Sequence, residues 1–139
     1  ADLVIIDTAG KATNAAKIAA QCADLVLIPA RSQVFDLETL EAVQTILGMA
    51  GSPPAYVVVT MAHPAASNPV EEAAQIIGEA FALPVAPVAI VQRRVYAVAP
   101  ETGQGPQEIK GGEKAGTEAA ALFDFVCKQT SKHANKKRA

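Results

Sequence analysis

The chain has 139 residues, of which half are apolar and 4% aromatic, and its net charge is −2. That length and composition favour one domain with an aliphatic core and argue against disorder. No apolar run reaches the ~20 residues of a membrane span, and no signal peptide is recognisable, so we expect a cytoplasmic protein rather than a membrane or secreted one.

The cysteines and histidines give no indication of a metal site or a disulfide framework. Cys22 and Cys127 lie in apolar helical patterns without special spacing, which favours buried thiols in a reducing cytoplasm. His63 and His133 have no acid or cysteine at ligand spacing, so neither is a predicted metal ligand.

Apolar runs and amphipathic segments alternate along the chain. The runs predict strands at 3–7, 25–29, 56–61 and 85–91. The periodic segments predict helices at 12–22, from an N-cap at Asp36 to about residue 47, from an N-cap at Asn68 to about residue 81, and at 117–128. Between the last strand and the last helix the sequence is mostly irregular, with a short helix near Tyr96.

This alternation predicts βαβ units and a parallel sheet with helices on both faces. Ligands of such sheets bind beyond the carboxyl ends of the strands. Those ends are residues 7–10, 29–32, 60–61 and 91–93, and we expect them to lie along one rim.

Asp7 ends the first apolar run and is followed by Thr8 and Gly10. A carboxylate at the end of a strand can hold Mg²⁺ through a bound water. A glycine lets the backbone N–H approach a terminal phosphate and respond to its hydrolysis. The motif alone is equally compatible with an aspartate that caps a loop, since short motifs recur by chance.

The order of several motifs resembles the ParA/MinD family of Walker-type ATPases. The similar stretches are residues 5–10, 23–29 and 36–37, and residues 89–96 and 103–106 look like the plasmid-partition branch. The resemblance covers the chain from Leu3 to about Val126. It implies an α/β fold, namely a three-layer, mostly parallel P-loop NTPase-type sheet with helices on both faces.

The resemblance also implies a function. Family members hydrolyse ATP with Mg²⁺, act as nucleotide-switched homodimers in DNA partition, bind non-specific DNA and respond to a centromere-binding partner. Asp7 matches the Mg²⁺-organising aspartate, and Thr8 and Gly10 match the second switch.

Four further residues match family positions around the adenine. Thr60 and Met61 stand where Asn-Arg is common, and Gln92 and Arg93 match a Pro-Arg pair that flanks the base. With these departures, backbone contacts would remain to hold the adenine. From the residues alone, Arg93 and Arg94 are equally compatible with a solvated pair, and Arg31 with a salt bridge on the rim.

The phosphate loop of the family is missing, because no G-x-x-x-x-G-K-[ST] occurs. The first switch is missing as well, so we expect these residues alone to be inactive. Because the chain begins with Ala, we expect it to be the C-terminal portion of a longer protein.

In the family the phosphate-loop strand lies between the strands at 3–7 and 25–29. Its absence predicts a gap in the sheet that a further segment, a partner or a rearrangement must close.

We expect a domain over residues 1–130 and a flexible basic tail over 131–139. Five of the twelve basic residues follow Asp124 and no acid does, which leaves an acidic body with a basic end. Such a tail suits contact with an anionic surface such as DNA, but a solvated helix end has the same composition.

The alternatives to a partition ATPase are a MinD-like ATPase, a non-catalytic interaction or scaffold module, and a small-molecule ligase. The first would carry an apolar amphipathic C-terminal helix, and residues 132–139 contain no large apolar residue.

Overall fold

A computed structural model describes residues 3–9, 13–31 and 34–138, with side chains described except at 34–38 and 133–138. The elements in chain order are α1 (Asn14–Cys22), β1 (Val26–Ala30), α2 (Val34–Met49), β2 (Ala55–Ala62), α3 (Pro69–Phe81), β3 (Val85–Val91), α4 (Val95–Thr102), a 3₁₀ turn (Pro106–Glu108) and α5 (Glu113–Arg138).

The three strands form a parallel sheet in the order β1-β2-β3. The register of β1 on β2 runs regularly from Val26↔Ala55 to Ala30↔Val59. The pairing of β2 with β3 is interrupted twice, once around Pro87, which has no N–H to donate to the ladder. The protein is therefore an α/β protein with a parallel sheet, as the alternating pattern predicts.

Alternate residues of β2 face two different helical layers. Val57 and Val59 are fully buried in a core that includes Leu40 of α2 and Ile77 of α3. On the other face, Tyr56 meets Phe125 of α5 edge-on, with ring centroids 5.0 Å apart and an interplanar angle of 86°. The prediction of helices on both faces of the sheet is thus confirmed.

The predicted strand at 3–7 is wrong for this structure. Residues 3–9 have no regular secondary structure and all of them are exposed, with Ile5 84% accessible. A strand exists only where a neighbour pairs with its backbone, and no described strand pairs with this segment. The apolar pattern of Leu3–Ile6 is thus left without the sheet that would bury it.

No described strand pairs with the outer edge of β1. The N–H of Val26 donates to the Pro54 carbonyl at 2.8 Å, so Val26 faces β2. Because residues of a parallel strand face alternate neighbours, Leu27 and Pro29 direct their backbone groups outward. Proline is tolerated there because an edge position does not need its N–H.

Several local predictions differ from the structure at their boundaries. Asp36 is not an N-cap, because α2 already begins at Val34. Asn68 does precede α3, but its side chain donates to the Glu71 carboxylate and makes no cap hydrogen bond. The last helix is longer than predicted at both ends, and α1 begins at Asn14. Cys22 is exposed rather than buried because it lies on the face of α1 that carries the exposed Ile18, four residues earlier, and not on the face of the buried Ala20. Cys127 is half-buried, and both thiols are free.

Candidate functional site

The carboxyl ends of the three strands are connected directly by hydrogen bonds. The Thr60 hydroxyl donates to the carbonyl of Ala30 at 3.4 Å, which joins β2 to β1. The N–H of Gln92 donates to the carbonyl of Ala62 at 2.9 Å, which joins the end of β3 to β2. These contacts place Thr60, Met61, Gln92 and Arg93 on one rim, and we refer to residues 30–31, 60–62 and 91–93 as the strand-end rim.

Met61 occupies an irregular position on this rim. Between Val59↔Ala89 and Ala62↔Val91 the strand β2 has one residue more than β3, which defines a bulge. Met61 lies in this bulge with a φ of 51°, in the left-handed region that residues with a side chain rarely adopt. Its side chain is 46% exposed. Bulges often turn a side chain toward a binding site, so the strain at Met61 suits a functional edge.

A single carboxylate holds the end of β3. Oε1 of Glu118, on α5, accepts from Nε of Arg93 at 3.0 Å and from Nη2 at 2.6 Å. Its Oε2 accepts from the backbone N–H of Val91 at 3.2 Å. The Tyr96 hydroxyl lies 3.3 Å from Oε2 and 3.1 Å from the carbonyl of Ala115, so two acceptors are within reach of its one proton. We call Glu118, Arg93, Tyr96 and the Val91 amide the Glu118 network.

The network raises the pKa of Arg93 and of Tyr96. The hydrogen bond to Glu118 raises the pKa of Arg93, so the guanidinium stays charged at every ordinary pH. Burial raises the pKa of Tyr96, and the nearby Glu118 charge raises it further. The side chains of Arg93 and Glu118 are only 27% and 16% exposed, so solvent competes weakly for their contacts.

These contacts decide between the interpretations of the two neighbouring arginines. Arg94 is exposed, whereas Arg93 is half-buried and its guanidinium is oriented by a carboxylate. Arg93 is therefore not half of a solvated pair. Arg31 is exposed at the end of β1.

Asp7 and Thr8, predicted to serve Mg²⁺ and the phosphates, lie in no strand of the described sheet. Asp7 and Thr8 are exposed in the segment outside the sheet, and Gly10 lies outside the described residues. Within the described parts of the chain, no three His, Cys, Asp or Glu residues are grouped so as to hold a metal ion. The rim thus brings together Thr60, Met61, Gln92 and Arg93, and Asp7 and Thr8 are not part of it.

Sequence reasoning missed Glu118 and Tyr96. The available signal was the position of Glu118 on the inward stripe of α5, three residues after the fully buried Ala115 and four before the half-buried Leu122. A carboxylate on a buried stripe needs a partner, because an unpaired buried charge is costly. The pattern cannot name that partner, which lies 25 residues away in the chain.

Comparison with protein-family models, with curated proteins and with solved structures gave no match to this chain. Among the helices described, none is both long enough and apolar enough to cross a membrane.

Proposed function

We propose that this chain is the C-terminal part of a ParA-like partition ATPase. In the intact protein it would bind ATP with Mg²⁺, form a nucleotide-switched homodimer and act in plasmid or chromosome segregation. The partners would be non-specific DNA and a centromere-binding protein. The observation that carries the proposal is an apolar segment, Leu3–Ile6, left exposed in a protein whose described strands leave the outer edge of β1 unpaired.

One additional strand accounts for both features. A strand inserted between residues 3–6 and β1 would pair with the outward backbone groups of Leu27 and with the carbonyl of Pro29. It would also give Leu3–Ile6 a neighbour and bury its side chains. In the resembled family, the strand at this place leads into the phosphate loop, so the same insertion would supply the missing phosphate site.

The strand-end rim would hold the base. Parallel sheets bind ligands at this edge, and the connected ends of β1, β2 and β3 form a continuous surface there. Thr60, the bulge at Met61 and the turn at Gln92 and Arg93 are the parts of this chain that would contact the adenine. Backbone groups would provide much of the recognition, because neither Thr60 nor Met61 offers the amide of the family's usual residue.

The segment at residues 3–10 would bind Mg²⁺ and the phosphates once it joins the sheet. Asp7 would then end a buried strand and hold Mg²⁺ through water. Thr8 and Gly10 would lie beside the terminal phosphate and respond to its hydrolysis. The bound ion would neutralise charge that develops on the transferred phosphoryl group.

Nucleotide binding by the intact protein tests this proposal. We expect ATP to bind in the presence of Mg²⁺ and binding to weaken when EDTA removes the ion. We expect Asp7→Asn to lower ATP hydrolysis by about a hundredfold or more, because the Mg²⁺ loses its organising carboxylate. Asp124→Asn makes the same chemical change at an exposed position on α5 and serves as the matched control.

The contrary results identify the alternatives. An intact protein that folds but binds no nucleotide would instead be a non-catalytic interaction or scaffold module. Equal hydrolysis by the two Asp→Asn variants would remove Asp7 from the site and overturn the proposed role of the segment at residues 3–10.

A further inference from the structure

We propose that Glu118 is a positioning residue for the base of the nucleotide: it fixes the orientation of Arg93 and ties the turn after β3 to α5. This inference rests on the proposed nucleotide site, and it adds a residue from a different element to it. The geometry of the Glu118 network and its position at the strand-end rim support this role.

Glu118 completes the hydrogen bonding at the outer edge of β3. The N–H of Gln92 points to β2, where it reaches Ala62. The preceding N–H, that of Val91, therefore points away from β2, and no described strand lies on that side. Oε2 of Glu118 accepts this N–H at 3.2 Å. A side chain from α5 thus takes the place of a neighbouring strand at the last residue of β3.

The same carboxylate determines which part of Arg93 can meet a ligand. Glu118 uses the Nε edge and one hydrogen bond of Nη2, so the guanidinium plane is held and its charge is balanced. A balanced guanidinium contributes little net charge toward phosphate, but its flat face remains suited to stacking on an aromatic base. Arg93 would therefore recognise the base by its plane, provided that Glu118 sets the orientation.

This arrangement separates base recognition from phosphate binding. Without the Glu118 carboxylate, Arg93 would adopt many rotamers and the Val91 amide would lose its acceptor. The affinity for a nucleotide should fall, whereas a phosphate chain without a base should bind as before. A residue that only stabilised the fold would weaken both ligands together.

The test compares Glu118→Gln with Asp124→Asn in the intact protein. Glutamine keeps the size of the side chain but places an NH₂ donor beside Arg93, and Asp124→Asn removes one charge from an exposed position of the same helix. We expect Glu118→Gln to weaken Mg²⁺-ATP binding about tenfold or more, as for loss of hydrogen bonds to a charged group. Binding of Mg²⁺-tripolyphosphate should be unchanged, and Asp124→Asn should bind both ligands like the wild type.

Two further measurements keep the result interpretable. The Val91 amide should exchange its hydrogen faster in Glu118→Gln, while the buried Val57 amide stays protected, which shows that the variant is folded. Arg93→Lys should reproduce the selective loss of ATP binding, because lysine keeps the charge but has no plane.

Unchanged ATP binding in Glu118→Gln, or an equal loss of ATP and tripolyphosphate, would overturn the positioning role while leaving the nucleotide site in place. A wild-type protein that binds neither ligand would overturn the proposed function and this inference with it. The two failures are therefore distinguishable.

Discussion

At the scale of single residues, Tyr96 has an unusual environment for a side chain so close to the rim. Its hydroxyl is within reach of a carboxylate and a backbone carbonyl, and both are acceptors that favour the protonated phenol. Burial and the Glu118 charge raise its pKa above the ordinary value of about 10. Ionisation of Tyr96 would place two negative charges side by side.

This environment predicts a loss of stability at alkaline pH. The folded protein keeps the Tyr96 proton at a pH where the unfolded chain releases it, so the folded state binds more protons above about pH 10. The contribution of the Tyr96 proton to the free energy of unfolding is therefore complete below about pH 10 and decreases as the pH rises through the elevated pKa of Tyr96 in the folded protein. Tyr96→Phe lacks the titrating group, so its stability should fall less steeply. Urea midpoints of both proteins between pH 8 and 11 measure the difference, and parallel pH profiles would contradict it.

The residues of the rim could be predicted from the sequence, and the network that holds one of them could not. The position of Thr60, Met61, Gln92 and Arg93 follows from a general property of parallel sheets, whose strand ends share one edge. The contact of Glu118 with Arg93 depends on how α5 lies across β3, and side-chain periodicity gives only the inward face of a helix.

At the scale of elements, α3 shows how a helical face is defined by neighbouring residues. Ile77 is 1% exposed in the core between α3 and β2, whereas Ile76 is 45% exposed. Ile77→Ala should lower the free energy of unfolding by about 2–5 kcal/mol, through lost burial and the cavity left behind. Ile76→Ala removes the same atoms from the surface and should change it by at most about 0.5 kcal/mol. Denaturant unfolding of both variants measures this contrast, and equal losses would show that the face of α3 is misassigned.

The sequence predicts the helices more reliably than the first strand, for a physical reason. The hydrogen bonds of α3 lie within the segment, so an N-terminal Asn-Pro and a regular apolar stripe suffice to predict Pro69–Phe81. The backbone hydrogen bonds of a strand are made with neighbouring strands. Leu3–Ile6 has a strand-like sequence, but a sequence pattern cannot show whether a partner strand is available.

In the whole molecule, the two edges of the sheet differ in how their outward backbone groups are hydrogen-bonded. Beyond β3, the Glu118 side chain accepts the last outward N–H. Beyond β1, the described part of the chain contains no pairing strand, although every side chain of β1 except Pro29 is partly or fully buried. An apolar strand with one open edge is prone to pair with another chain, which favours completion of the sheet at β1.

Amide hydrogen exchange on the intact protein can detect this completion of the sheet. If an inserted strand joins residues 3–6 to β1, the amides of Ile5 and Leu27 should be strongly protected, and Mg²⁺-ATP should protect them further. The Val57 amide, in the middle of the sheet, is the internal reference for full protection. Rapid exchange at Ile5 and Leu27 beside a protected Val57, with and without Mg²⁺-ATP, would show that no strand joins residues 3–6 to β1.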